Sequence, residues 1–201
     1  MTHRQALYLG LSLAFRPPTR GHVDGGADNG LVETVATAAT ALGCAVLLPA
    51  LSALRDALKT LTCGEVSAAV TALEAEYNRL FVGPLPPLAH PYESVYRTPG
   101  GLVMGDCTIE VLQAYAEAGY ALQADLKELP DHVAVELEYM ALLWQRHDEA
   151  HSAGLAPLAG LPPSDGVGEI RDVVVDESYR GKGIGRMLLE RCLAEARKFG
   201  Y

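Results

Sequence analysis

The sequence predicts a mainly α protein, an all-helical bundle followed by a short strand–loop–helix segment. Apolar residues recur at helical spacing through roughly the first three quarters of the chain, and no strand pattern or internal repeat interrupts them before residue 168. A run rich in Gly, Pro, Ala and Ser then occupies residues 152–166, and β-branched residues appear only after it. These observations divide the chain into a helical domain over 1–151, a linker over 152–166 and a distinct tail over 167–201.

The helices are justified in order. Leu7, Leu11, Ala14 and Phe15 make a first stripe, ended by Pro17 and Pro18, and residues 21–30 read as a loop. Residues 35–54 carry no charge over the length of a membrane span. Their Thr37, Thr40, Gly43, Pro49 and Ser52, with Ala outnumbering Leu, favour a buried bundle helix broken near Pro49. Val66, Val70, Leu73, Tyr77, Leu80 and Phe81 form a strong second stripe that stops at Gly83 and Pro84. Ile109, Leu112 and Tyr115 mark a third helix, with Thr108 as its N-cap and Gly119 as its stop. Pro130 fits the first position of a long helix whose buried face holds Val133, Leu137, Met140 and Trp144. Between the second and third helices, Pro84, Pro86, Pro87 and Pro91 exclude helix and inner strand. A rigid loop over 83–96, pinned to the bundle by Tyr92 and Tyr96, is the expectation, and ordered loops on helical scaffolds are frequent functional sites.

Charge narrows the function. Residues 1–163 hold nine Lys/Arg against 18 Asp/Glu, a net of -9, whereas residues 164–201 hold seven of each, a net of 0. An acidic domain disfavours a phosphate backbone and suits basic partners, so nucleic acid is excluded as the expected ligand. Cys44, Cys63, Cys107 and Cys192 are far apart and lack metal-ligand spacing. Reduced, buried thiols in a cytoplasmic protein are expected. Residues 5–15 follow Arg4 as in a signal peptide, but no small-x-small cleavage site comes after them. His147 and His151 stand at i and i+4, yet Asp148 occupies the place that the zinc-protease pattern gives to Glu, so a solvated helix end is the better reading.

Tyr77-Asn-Arg-Leu-Phe81, Gly83-Pro84, Pro91-Tyr-Glu-Ser-Val-Tyr96 and Leu129-Pro-Asp-His-Val-Ala-Val-Glu-Leu-Glu-Tyr-Met140 occur in that order. The series resembles the TorD/DmsD family, cytoplasmic chaperones for the maturation of molybdenum-containing oxidoreductases, and Thr108, Glu110, Val111 and Tyr115 fit the run between its motifs. The resemblance spans about residues 5–150. It implies an all-helical protein that binds the twin-arginine leader of its client and holds it back from export until the cofactor is inserted. The implied leader-binding positions are Tyr77, Leu80, Phe81, Pro91, Tyr92, Asp131 and His132, with Tyr77 and Tyr92 standing where tryptophan is common. A leader with two guanidiniums beside an apolar stretch calls for carboxylates next to an aromatic or apolar groove. Asp131, expected in the first turn of a helix, suits the helix dipole there, and helix capping is the competing role for it. His132 alone reads equally as a capping histidine, and Leu80 and Phe81 equally as core. Members of the family continue with further helices that close the bundle. Here the Pro/Gly run stands in their place, which predicts a partly uncovered apolar face on residues 133–144, open to homodimer formation or to instability.

In the tail, residues 169–175 read as a strand, and Arg180-Gly-Lys-Gly-Ile-Gly185 leads into a helix carrying Ile184, Leu188, Leu189, Cys192, Leu193 and Ala196. A glycine loop at a helix N-terminus offers amide N–H groups to a phosphate, although this one is neither a Walker A loop nor G-x-G-x-x-G. The run resembles the acetyl-CoA motif of the GNAT N-acetyltransferases. The resemblance implies a partial domain in which Arg180, Gly181, Lys182, Gly183, Ile184 and Gly185 hold the pyrophosphate and the strand, with Val175, lies along the pantetheine. No catalytic base is identified. Two functions therefore compete: a non-enzymatic chaperone, needing no cofactor, and an acetyl-CoA-dependent N-acetyltransferase. A truncated or fused product with neither intact is the third reading.

Overall fold

Thr2 starts the first helix by a reciprocal cap: its hydroxyl accepts the Gln5 N–H while the Gln5 side chain accepts the Thr2 N–H at 2.8 Å. Helix α1, His3–Ala14, ends at Phe15 as the sequence predicts. A computed structural model describes residues 1–23, 30–62, 65–84, 87–124 and 126–153. The predicted linker beyond 153, the strand over 169–175, the glycine loop Arg180–Gly185 with Val175, and the helix after it lie outside the described residues.

Two faces of α1 build the core. Ala6 and Leu7 pack against Val35, Ala38 and Ala39 of α3, Gly30–Ala41, and the cluster extends to Leu47, Leu48 and Leu51. Tyr8 turns the other way and meets Leu137, Ala141 and Trp144 of α8, Val133–Ser152, with Phe15, Val133 and Met140 at the margin. The predicted stripe of α8 is thus its core face. Close approach of α1 to α3 depends on Gly10, where a Cβ would stand 2.2 Å from Val35 Cγ2. The α1–α8 contact is locked by Ser12, fully buried, whose hydroxyl donates to the Ala134 carbonyl at 2.7 Å. Arg4 lies over the Trp144 ring, 4.4 Å from its centroid.

The remaining helices are α2, Arg20–Val23; α4, Leu48–Thr62; α5, Val66–Tyr77; α6, Glu93–Arg97; and α7, Asp106–Glu117. Helix α5 passes into a π turn, Asn78–Val82, and Gly83 ends it at φ 111°, a conformation open to glycine. Among the described residues the protein is mainly helical, with no strand beyond one isolated bridge, and no helix is long and apolar enough to cross a membrane.

Several boundaries differ from the sequence reading. The uncharged stretch breaks at Gly43, φ 72°, and Pro49 sits inside the first turn of α4, where its missing N–H costs nothing. Residues 21–23 of the expected loop belong to a helical turn, Arg20–Val23. Thr108 does not cap α7: Gly105 precedes the helix, and Thr108 lies in its first turn, buried. Ile109 and Leu112 face outward, 57% and 41% exposed, while Cys107 and Tyr115 carry the buried face. Pro130 lies before α8, whose N-cap is His132. His147 is not solvated; it is buried against Trp144, ring centroids 5.1 Å apart, with His151 stacked beyond it. Cys44 and Cys107 are free thiols, and burial pushes both above the ordinary thiol range.

Candidate functional site

Two extended segments on either side of α6 and α7 meet and pair. Tyr92 and His132 form an antiparallel bridge. The Val133 N–H donates to the Pro91 carbonyl at 2.8 Å, and the Glu93 N–H to the Asp131 carbonyl at 3.0 Å. The proline-rich loop is fixed from both ends. Ala89 N–H donates to the Leu80 carbonyl at 3.0 Å, while the Tyr96 hydroxyl accepts the His90 N–H at 3.0 Å and donates to the His90 carbonyl at 2.9 Å. Tyr92 therefore pins the loop to the segment before α8, as expected, whereas the Tyr96 hydroxyl closes the loop on its own His90. The loop is not helix-free to its end, however. Once Pro91 is passed, every residue from Glu93 to Arg97 carries a backbone N–H that can donate, and these five make α6.

Asp131 supplies what that short helix lacks. Its Oδ2 accepts the Ser94 N–H at 2.9 Å, satisfying an N-terminal amide that no residue of α6 could. Asp131 is thus a cap, but of a different helix from the one predicted, and it is fully enclosed. His132 caps α8 directly: its Nδ1 accepts the Ala134 N–H at 3.1 Å. That acceptor role leaves the proton on Nε2, which points to Glu128 Oε2 at 4.0 Å. Burial lowers the His132 pKa below the usual imidazole value, Glu128 and Asp131 oppose the shift, and Arg16 adds to it. The imidazole is neutral, with its ring edge-on to Tyr92 at 5.2 Å.

The other predicted residues form a neighbouring aromatic group. Tyr77 and Phe81 lie one turn apart across the junction of α5 and the π turn, ring centroids 5.1 Å apart, and Phe15 meets Phe81 at 6.0 Å. The Tyr77 hydroxyl donates to the Phe15 carbonyl at 3.3 Å. Leu80 serves through its carbonyl and is half-buried like the rings. Glu128 joins the two groups. It accepts the Tyr92 hydroxyl at 3.1 Å, and after burial its charge is the main cause pushing both Tyr77 and Tyr92 up to about 12. The result is a half-buried aromatic wall of Phe15, Tyr77, Phe81 and Tyr92 around one partly exposed carboxylate. Glu128 and Phe15 escaped the sequence reading: Glu128 stands one residue before the motif at 129–140, and Phe15 reads as an ordinary core stripe.

Asp131 also adjoins a polar cluster. Glu136 is buried, and its pKa is pushed up to about 8, first by desolvation and then by Glu93 and Asp131, with Arg97 opposing. Arg97 pairs with Glu93 at 3.0 Å and with Glu110 at 3.1 Å. Glu136 is accordingly protonated at neutral pH, which removes one of three neighbouring carboxylate charges from the interior. Among the described residues no group of three His, Cys, Asp or Glu is arranged to hold a metal ion.

The comparisons with known proteins bear on both parts of the chain. The pattern of the acetyltransferase (GNAT) domain family matches residues 132–201. Its first part overlaps α8, which packs as a member of the helical core. A crystal structure of a candidate redox enzyme maturation protein from Archaeoglobus fulgidus is similar to this chain at 22% identity, over 73% of this chain and 75% of that one, with a TM-score of 0.43. No curated protein matches. The pattern of the nitrate reductase delta subunit family matches residues 45–162, more than half the chain, a span that contains α4 to α8 and all seven of the expected leader-binding positions, though not Phe15 of the aromatic wall. The chain belongs to the nitrate reductase delta subunit family.

Proposed function

We propose that this protein is a cytoplasmic maturation chaperone for a redox enzyme, and that it holds the twin-arginine leader of a molybdenum-containing client back from export while the cofactor is inserted. The observation that carries the reading is the aromatic wall of Phe15, Tyr77, Phe81 and Tyr92 around the Glu128 carboxylate. Both tyrosines keep their protons throughout the physiological range, so Glu128 is the negative charge presented beside the rings. A guanidinium can stack on a tyrosine face and bond a carboxylate at the same time, and the apolar part of a leader can lie along Phe15 and Phe81. Asp131 and His132 act as positioning residues, holding the two paired segments that carry Tyr92. Family membership supports a redox-enzyme client.

Titration of the full chain with a synthetic leader peptide, followed by calorimetry, tests this reading. Saturable binding that weakens at least tenfold when both arginines become alanine is expected; the absence of saturable binding overturns it.

A second reading is favoured by the acetyltransferase match over 132–201. In it Val175 and Arg180, Gly181, Lys182, Gly183, Ile184 and Gly185 hold acetyl-CoA, the loop amides receiving the pyrophosphate. Heat of binding with acetyl-CoA that disappears in Gly183→Glu is expected, and no heat with the wild type removes it.

A further inference from the structure

Residues of α1 and α8 together line a groove of about 820 Å³. Its floor is apolar, from Leu9, Ala141 and Leu142, and its rim is acidic, from Glu138, Asp148 and Glu149. Two rim carboxylates have partners: Glu138 holds Arg16, and Glu149 accepts the Gln145 amide at 3.0 Å. Asp148 is different. Its Oδ1 faces His147 at 3.3 Å, but its Oδ2 is enclosed and has no donor among the described residues. The Asp148 side chain as a whole is 28% exposed, so part of it stays open to whatever fills the groove.

Ser152 and Ala153 line the same groove. The chain therefore passes into residues 154–201 from the groove's own edge. Residues 186–198 carry four Lys/Arg and two Glu, a net of +2, and the rim keeps Asp148 and Glu149 once Arg16 has paired with Glu138. Within them Leu188, Leu189, Cys192, Leu193 and Ala196 recur at helical spacing, and Arg186, Arg191, Arg197 and Lys198 interleave. Fully extended, the chain reaches about 3.3 Å per residue, so the segment separating Ala153 from Arg186 imposes no limit on docking.

We propose that residues 186–198 of this same chain occupy the groove between α1 and α8, laying their apolar face on Leu9, Ala141 and Leu142 and bringing their basic side chains to the rim at Asp148 and Glu149. The tail then covers apolar surface of the bundle to which it is joined, and the glycine loop immediately before it is held against the chaperone core. The proposal is independent of leader binding, which takes place at the aromatic wall.

Zero-length carbodiimide cross-linking of the full chain tests it, using a mixture of 14N- and 15N-labelled protein. Peptides joining Lys198 or Lys182 to Glu138, Asp148 or Glu149 are expected, each of a single isotopic composition. Absence of these links overturns the proposal, and links of mixed isotopic composition overturn it in favour of a second copy in the groove. The variant Leu189→Glu/Leu193→Glu, which leaves the bundle untouched, should reduce the links at least tenfold and raise amide exchange at Leu9 and along residues 138–149. Unchanged links and exchange in that variant overturn the proposal as well.

Discussion

Asp131 and Ser94 stand thirty-seven positions apart, and the Asp131 carboxylate accepts the Ser94 N–H at 2.9 Å in an enclosed site. That one bond caps α6 from outside and ties the loop carrying Tyr92 to the entry of α8.

Asp131→Ala removes the cap and leaves the Ser94 amide buried without a partner. A loss of about 2 kcal/mol follows from the usual cost of such a deletion. Thermal unfolding should show a drop of roughly 5 °C for a domain of this size. Asp131→Asn keeps an acceptor oxygen and should lose less than half as much.

Glu128 predicts a separate outcome, since it is partly exposed and carries no cap. Glu128→Gln should weaken leader binding about tenfold, in the range of a charged hydrogen bond exchanged for a neutral one, with little change in the melting temperature. Tyr92→Phe, which loses only the hydroxyl bond to Glu128, should weaken it less. Calorimetry on the two variants separates the carboxylate from the ring.

Glu136 governs pH dependence. Its folded pKa, about 8, lies above the ordinary carboxylate value of 4.5. The folded state therefore binds the proton more tightly between those values, and stability is lost as pH rises through that window. Glu136→Gln mimics the protonated form, so it should flatten this slope and gain on the order of 3 kcal/mol over the wild type near pH 8. Urea unfolding midpoints of both proteins at pH 5 and pH 8 check it: the difference between them should be small at the lower pH and large at the higher.

Gly10 tests the core. Alanine is the better helix former by about 1 kcal/mol, but its Cβ would stand 2.2 Å from Val35 Cγ2. Overpacking of that kind costs about 1–3 kcal/mol, so Gly10→Ala should be destabilising on balance. Adding Val35→Ala should restore much of the loss, and a double-mutant cycle by denaturant unfolding measures the coupling.

What the sequence made legible was periodic. The stripes at Leu7, Leu11 and Phe15, at Val66 to Phe81 and at Leu137 to Trp144 all became helices, because burial of one face repeats every three to four residues. Tyr77, Phe81, Tyr92 and His132 were likewise visible from ordered motifs, and the structure gathers them around Glu128. What stayed hidden was set by contacts distant in sequence. Thr108 has the right chemistry for an N-cap, yet Gly105 starts α7, and Ile109 and Leu112 carry an apolar spacing that turns outward. Asp131 reads as the first turn of its own helix because no local signal announces that its partner is Ser94. Pro49 reads as a breaker although Gly43, with its positive φ, makes the break.

The pairing of Pro91–Glu93 with Asp131–Val133 has a mechanical consequence. Everything from α6 through α7 is an excursion whose entrance and exit are clasped together by two backbone hydrogen bonds and one carboxylate. A protease cutting at the exposed glycines, Gly100 and Gly101, would sever the covalent route between Tyr92 and Glu128 while leaving the clasp that holds them in register. The wall is therefore built to outlast a break in the chain that connects its two sides.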